Sequence, residues 1–225
     1  MLLDTASYID HTLLLPEATP TQIIKLCEEA ERYGFATVCV NPSYVKLAGQ
    51  HLRAGTVGIC TVIGFPLGAT TSETKMNEVV RALLQGASEL DLVMHIGRLK
   101  SGDHAYVERE ILLIAECAHK SNALLKVIIE TGVLTDEEKV IACRLSERAG
   151  ADFIKTSTGF RGGATIADVR LIRATIGVDT GLKASGGIGS YAEARALITA
   201  GATRIGTSSG VAIMAGAPSV KNTPS

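Results

Sequence analysis

Three residues carry the first hint of chemistry: Lys155, Lys183 and Asp91. Each interrupts an apolar run that reads as a strand. Lys155 lies in "DFIKTSTGF" (152–160), Lys183 in "GLKASGG" (181–187) and Asp91 in "ELDLVMHIG" (89–97). A buried lysine costs free energy unless it is paired or neutralised. At pH 7 an ordinary lysine is neutral in only about one molecule in 2,500, given a pKa of about 10.4. Only that neutral amine attacks a carbonyl. Burial next to a second ammonium favours the neutral form. Two neighbouring strand lysines therefore suit a pair in which one is the nucleophile and the other the charge that keeps it neutral. Two lysines each paired with a carboxylate is the competing arrangement, and the residues alone leave both open. Asp91 shares a strand face with Glu89 and Val93. It suits a carboxylate that shuttles protons through a water, or a structural partner of the lysines. A third lysine, Lys126 in "LLKVIIE" (124–130), sits near the start of its strand and is expected to pair with a carboxylate inside the fold.

Residues of this kind need rigid elements to hold them. Four segments, "AERYGFATVCV" (30–40), "LLQGASELDLV" (83–93), "SERAGADFIKT" (146–156) and "ITAGATRIGT" (198–207), share a helix end, a glycine and a β-rich run. The glycine is the expected residue just past a helix C-terminus, and the run after it reads as a buried strand. They recur at intervals of about two strand-plus-helix units. The strands between them are "VGICTVIGF" (57–65), "LLKVIIE" (124–130), "GLKASGG" (181–187) and a shorter opening one, "YIDHTLL" (8–14). Amphipathic patterns predict helices over 20–33, 73–85, 103–120, 135–148, 165–175 and 190–199, with a short one near 43–52. Thr135 and Glu138 form a capping box at one of these starts. Eight strands alternating with helices imply parallel pairing and right-handed crossovers. The glycine-rich turns follow the last strands rather than the first, which disfavours an open dinucleotide-binding sheet. A single-domain α/β fold, a closed (β/α)8 TIM barrel over 1–215 with a flexible tail over 216–225, is the expectation.

In such a barrel the reactive groups gather at the C-terminal ends of the strands. Reading those ends in order gives Asp10, Asn41, Asp91, Glu130, Lys155 and Lys183. "SGGIGS" (185–190) and "GTSSGVAI" (206–213) each lead from a strand into a helix. Their backbone N–H groups and helix dipoles suit a phosphate. The five histidines show no HxH or HExxH spacing, so no metal is expected. His51, His104 and His119 read as surface residues, and His95 either lines the pocket or ends a strand. Five cysteines without a CxxC spacing read as packing residues in a reducing cytoplasm. A net charge of −1 argues against a nucleic-acid or membrane partner, and neither a signal peptide nor a spanning segment is expected.

The motifs "YIDHTLL", "VCVNPSYV", "TVIGFPLGATTSETK", "ELDLVMHIGRLKSGD", "LLKVIIETG", "DFIKTSTGF", "KASGGI" and "GATRIGTSSG" together resemble the deoxyribose-phosphate aldolases. The resemblance runs from about residue 8 to 213. It implies a class I aldolase with no cofactor, cleaving 2-deoxy-D-ribose 5-phosphate reversibly to D-glyceraldehyde 3-phosphate and acetaldehyde, in deoxyribose catabolism. By that resemblance Lys155 matches the Schiff-base lysine, Lys183 the lysine that perturbs it, and Asp91 the proton-relay carboxylate. Asp10 and Thr12 match residues near the substrate, and Thr158 falls in the same substrate loop. Gly159, Gly186, Gly187, Ser208 and Ser209 match phosphate-loop positions. Gly189 stands where the family commonly has arginine, and Arg161 where small polar residues are common. The expected partners are a phosphorylated sugar, aldehydes and further copies of the chain, as a dimer or tetramer. A transaldolase-like Schiff-base barrel and a catalytically silent metabolite-binding barrel are the rival readings.

Overall fold

A computed structural model describes residues 5–53, 55 and 57–217. Eight parallel strands close on themselves in chain order: β1 (Ile9–Leu13), β2 (Thr37–Val40), β3 (Gly58–Ile63), β4 (Glu89–Val93), β5 (Leu124–Ile128), β6 (Phe153–Lys155), β7 (Gly181–Ser185) and β8 (Arg204–Thr207). The short opening strand is the one that completes the barrel, since β1 pairs with both β2 and β8. The expected TIM barrel is therefore the fold. The tail expected over 216–225 falls outside the described residues from 218 onward.

The helices are α1 (Pro20–Tyr33), α2 (Val45–His51), α3 (Ser72–Leu84), α4 (Ile96–Lys100), α5 (His104–Lys120), α6 (Asp136–Arg148), α7 (Ile166–Thr175), α8 (Tyr191–Ala200) and α9 (Gly210–Ala215). Local chemistry sets their starts. Thr19, Thr135 and Ser190 each close a capping box with Gln22, Glu138 and Glu193, which satisfies backbone N–H groups that a helix start leaves unpaired. Gly34 ends α1 in the left-handed region at φ 68°. The short helix near 43–52 is a 3-10 turn, Pro42–Tyr44, running into α2. Helix α4 has no signal in the hydrophobic period. The His95 ring starts it by accepting a hydrogen bond from Arg98 N at 3.3 Å.

The aliphatic core lies between the strands and the helices, with Ile9, Val38, Leu90, Leu92, Leu125, Val127, Ile154, Leu182 and Ile205 facing outward from the sheet. The alternate residues face the barrel axis and are strongly polar, whereas barrel interiors are more often filled by branched aliphatic layers. Register makes Asp91 the direct neighbour of Lys126, and Lys155 the direct neighbour of Lys183. Gly206 on β8 makes room for the Lys183 stem. A Cβ there would stand 2.9 Å from Lys183 Cε.

A second buried polar cluster anchors the strand that carries Asp91. Lys75 on α3, fully buried, donates to Glu110 Oε2 on α5 at 2.7 Å and to the Val93 carbonyl at 3.0 Å. Ser72 Oγ donates to Glu110 Oε1 at 2.8 Å. Removing one member of such a pair strands a buried charge, whereas removing both need not. Lys75→Met is expected to lower the unfolding free energy by about 3–5 kcal/mol, and Lys75→Met with Glu110→Leu by clearly less. Urea unfolding of the two variants checks this, and equal losses would show that a stranded Glu110 charge is not what Lys75→Met costs.

Candidate active site

Strand register brings seven charged side chains to the barrel axis: Asp10, Glu89, Asp91, Lys126, Lys155, Lys183 and Arg204. Asp91 Oδ2 accepts from Lys155 Nζ and from Lys183 Nζ, both at 2.7 Å. Its other oxygen accepts from Lys126 Nζ at 3.0 Å and from the Cys60 thiol at 3.2 Å. Lys183 also pairs with Asp10 Oδ2 at 2.5 Å, and Lys126 with Glu89 Oε2 at 2.5 Å. Arg204 spans Asp10 at 2.6 Å and Glu89 at 3.0 Å. So Lys126 pairs inside the barrel, as its place in the strand predicts. It does so with two carboxylates at close range.

Burial and ion pairing pull these groups in opposite directions, and pairing wins. Burial would raise the Asp91 carboxyl, yet the ammoniums of Lys126, Lys155 and Lys183 hold it well below the usual range. Burial likewise opposes ionisation of Asp10, and Lys183, Lys126 and Arg204 bring it down. Lys183 and Lys126 are held above the ordinary lysine value despite their burial, Lys183 by Asp10 and Asp91, Lys126 chiefly by Asp91. The seven groups comprise three carboxylates and four cations. Fully ionised, they carry one positive charge too many. Lys155 is the cation with a single carboxylate neighbour, Asp91, among the described residues, and the one that reaches the cavity.

That cavity, about 480 Å3, opens at the C-terminal ends of the strands. Lys155 is its only charged wall residue among those described. Thr12, Thr158, Gly159, Gly186, Gly187, Ser208 and Ser209 all line it, so seven of the eight expected substrate-contacting residues come together there. The eighth, Asp10, does not reach the wall. It is fully buried against Lys183 and stays outside the wall. Asp91 and Lys183 are likewise fully buried and outside the wall, and they pair with each other through the oxygen that Lys155 also contacts. Sequence reasoning missed Ser185 and Thr207 in the wall, the apolar segment Leu13–Leu15, and Phe160, which packs edge-on against Phe65 at 5.5 Å. It also missed Arg204 and Glu89. The alternation of Glu89 with Asp91 was the available signal for the second of these.

His95 caps α4 and packs against Tyr106, so it ends the strand and does not line the cavity. His51 and His119 are exposed, and His104 is half-buried. Two sets of donor atoms are close enough to surround a metal ion: Cys39, Cys60 and Asp91, and Asp10, Cys60 and Glu89. Both are interleaved with the ammoniums of Lys126, Lys155 and Lys183, which would repel a cation. Cys60 does more than pack, since its thiol donates to Asp91.

A sequence model described as DeoC/LacD family aldolase matches residues 5–216. The chain belongs to this aldolase family. It is 60% identical over 210 residues to a deoxyribose-phosphate aldolase of Streptococcus gordonii, covering 93% of this chain and 94% of that protein. It is 57% identical over 218 residues to one of Thermococcus gammatolerans, covering 96% and 97%. Among solved structures, a tetrameric deoxyribose phosphate aldolase from Aeropyrum pernix superposes with a TM-score of 0.86 at 38% identity, covering 94% of this chain and 89% of that one. Among the described residues of this aldolase, no helix is long and apolar enough to cross a membrane.

The charge network predicts a plateau of stability with defined edges. The depressed Asp10 and Asp91 contribute fully above the unfolded carboxylate value of about 3.9, and this contribution fades as pH falls toward their lower folded values. The elevated Lys126 and Lys183 contribute fully below about pH 10.4, and theirs fades as pH rises toward their higher folded values. Unfolding free energy is expected to fall steadily below about pH 4. Denaturant titrations from pH 6 down to pH 2 check it; a flat profile would mean the aspartates gain nothing from the lysines.

Proposed function

We propose that this aldolase works through a Schiff base on Lys155 and cleaves 2-deoxy-D-ribose 5-phosphate to D-glyceraldehyde 3-phosphate and acetaldehyde. The observation that carries this reading is Lys155 itself: a cavity-facing amine, 3% exposed, that shares one carboxylate oxygen with a second, deeper lysine. Neutral Lys155 attacks the C1 aldehyde of the open-chain sugar, and loss of water gives an imine. The protonated imine accepts the electron pair as the C2–C3 bond breaks. The C3 hydroxyl loses its proton in that step and the three-carbon aldehyde leaves. Asp91 is the terminus of this proton path, through a water or the Lys183 ammonium, because it is fully buried and outside the cavity wall. The remaining enamine takes a proton at carbon and is hydrolysed to acetaldehyde, which frees Lys155.

In this reading the phosphate sits against Gly159, Gly186, Gly187, Ser208 and Ser209. Its partners there are backbone N–H groups and hydroxyls. Arg161 is exposed and outside the wall, and Gly189 N donates to Glu193 Oε2 at 2.9 Å. The neutral wall therefore replaces the arginine that Gly189 lacks. We further propose a catabolic role in the cytoplasm and, by likeness to the Aeropyrum pernix protein, a homo-oligomer.

Borohydride reduction in the presence of deoxyribose 5-phosphate is expected to leave an adduct on Lys155, located by peptide mass mapping. An adduct elsewhere, or none, would overturn the scheme and favour a barrel that only binds. Lys155→Ala should abolish turnover. Lys183→Leu is expected to move the pH–rate profile to higher pH with reduced activity near neutrality; an unmoved profile would remove its assigned role.

A further inference from the structure

We infer that Glu130 is a positioning residue that fixes the Thr158 hydroxyl as a hydrogen-bond acceptor, so that Thr158 receives a substrate hydroxyl and turns away phosphate. The inference rests on the aldolase reading above and adds the polarity of one wall group.

Glu130 follows β5 and is 2% exposed. Its backbone is left-handed, φ 56° and ψ 65°, a region that non-glycine residues seldom occupy and that stores strain. Hydrogen bonds on both sides hold it there: Ile129 N donates to Lys155 O at 3.0 Å, and Thr131 N donates to Thr156 O at 2.9 Å. The side chain turns to the loop after β6. Glu130 Oε1 accepts from Thr158 N at 3.1 Å, and Oε2 accepts from Thr158 Oγ1 at 2.5 Å. Among the described residues Glu130 has no ion-pair partner, unlike Glu89 and Asp91 of the barrel axis. Its loop contacts are all with Thr158.

Donor arithmetic then decides the polarity. A hydroxyl has one proton and two lone pairs, and a carboxylate can only accept. The Thr158 proton therefore goes to Glu130. One lone pair receives Phe160 N at 3.1 Å. What Thr158 has left is a single lone pair, on a residue that lines the cavity. A phosphate dianion offers only acceptors and would meet that lone pair, with the Glu130 charge behind it. A sugar hydroxyl offers a proton and fits. Thr158 thus selects the hydroxyl-bearing middle of the substrate, and the glycine turns are left to the phosphate.

Glu130→Gln tests this with little change of shape. The amide nitrogen must face one of the two Thr158 donors. Facing Oγ1 it donates, and the hydroxyl proton turns outward, reversing the polarity of the wall. Steady-state cleavage of deoxyribose 5-phosphate is measured for the wild type, Glu130→Gln, Thr158→Val and the double variant. Each single change is expected to lower kcat/KM by about tenfold, and the double variant to be no worse than Thr158→Val alone. Trapping of acetaldehyde on Lys155 by borohydride should persist in Glu130→Gln, because acetaldehyde has no hydroxyl to recognise. Glu130→Gly relieves the left-handed strain while deleting the carboxylate, and should show the same kinetic loss with an intact fold. Unchanged kcat/KM in Glu130→Gln, additive losses in the double variant, or loss of acetaldehyde trapping would each overturn the inference alone. A wild type that leaves the sugar phosphate uncleaved overturns the substrate reading with it.

Discussion

One oxygen of Asp91 accepts a hydrogen bond from Lys155 and from Lys183 at the same distance, and the surrounding architecture follows from that arrangement. Two ammoniums cannot share a dry site without a counter-charge, and a buried carboxylate cannot stay ionised without cations. Each makes the other possible. The second layer of pairs, Asp10 with Lys183 and Arg204, and Glu89 with Lys126 and Arg204, keeps those cations charged. It leaves Lys155 as the cation with least support and most access. Its neighbours are each supplied with two or more carboxylates, and Lys155 has only a share of one.

The interior of the barrel is shaped to make this network fit. Gly206 stands where a side chain would displace the Lys183 stem, and Gly181 where one would meet the Phe153 ring. Outside the sheet the usual aliphatic packing holds, and the Lys75–Glu110 pair ties α3 and α5 to the end of β4. Polar groups are therefore concentrated on the two sides of the strand that carries Asp91. The cavity above the network is neutral apart from Lys155, and backbone N–H groups and hydroxyls make up the rest of its polar wall.

Much of the fold was legible because its signals are local. Glycines after helices, capping boxes such as Thr135 with Glu138, and apolar strand runs marked the elements and their order. Helix α4 was not legible, since a ring nitrogen of His95 starts it and no hydrophobic period announces it. Lys155, Lys183 and the glycine turns stood out as exceptions in their own segments. Arg204 and the placement of Asp10 did not, because what they do depends on the stagger between strands that are remote in sequence. Glu130 was visible as a polar strand end, but its partner is a residue 28 positions later. A left-handed glutamate has no signature in sequence.

Closure of the sheet has a kinetic meaning as well. Arg204 and Asp10 stand 194 residues apart and meet only when β1 docks against β8. Contacts that join such distant segments come late, since the chain must give up the entropy of a very large loop before they reward it. A folding intermediate with seven strands in place would already hold Lys155, Lys183 and Asp91, yet lack Asp10, one of the two carboxylates that keep Lys183 charged. Recovery of activity during refolding would then follow the final seam of the barrel, later than the bulk of the secondary structure.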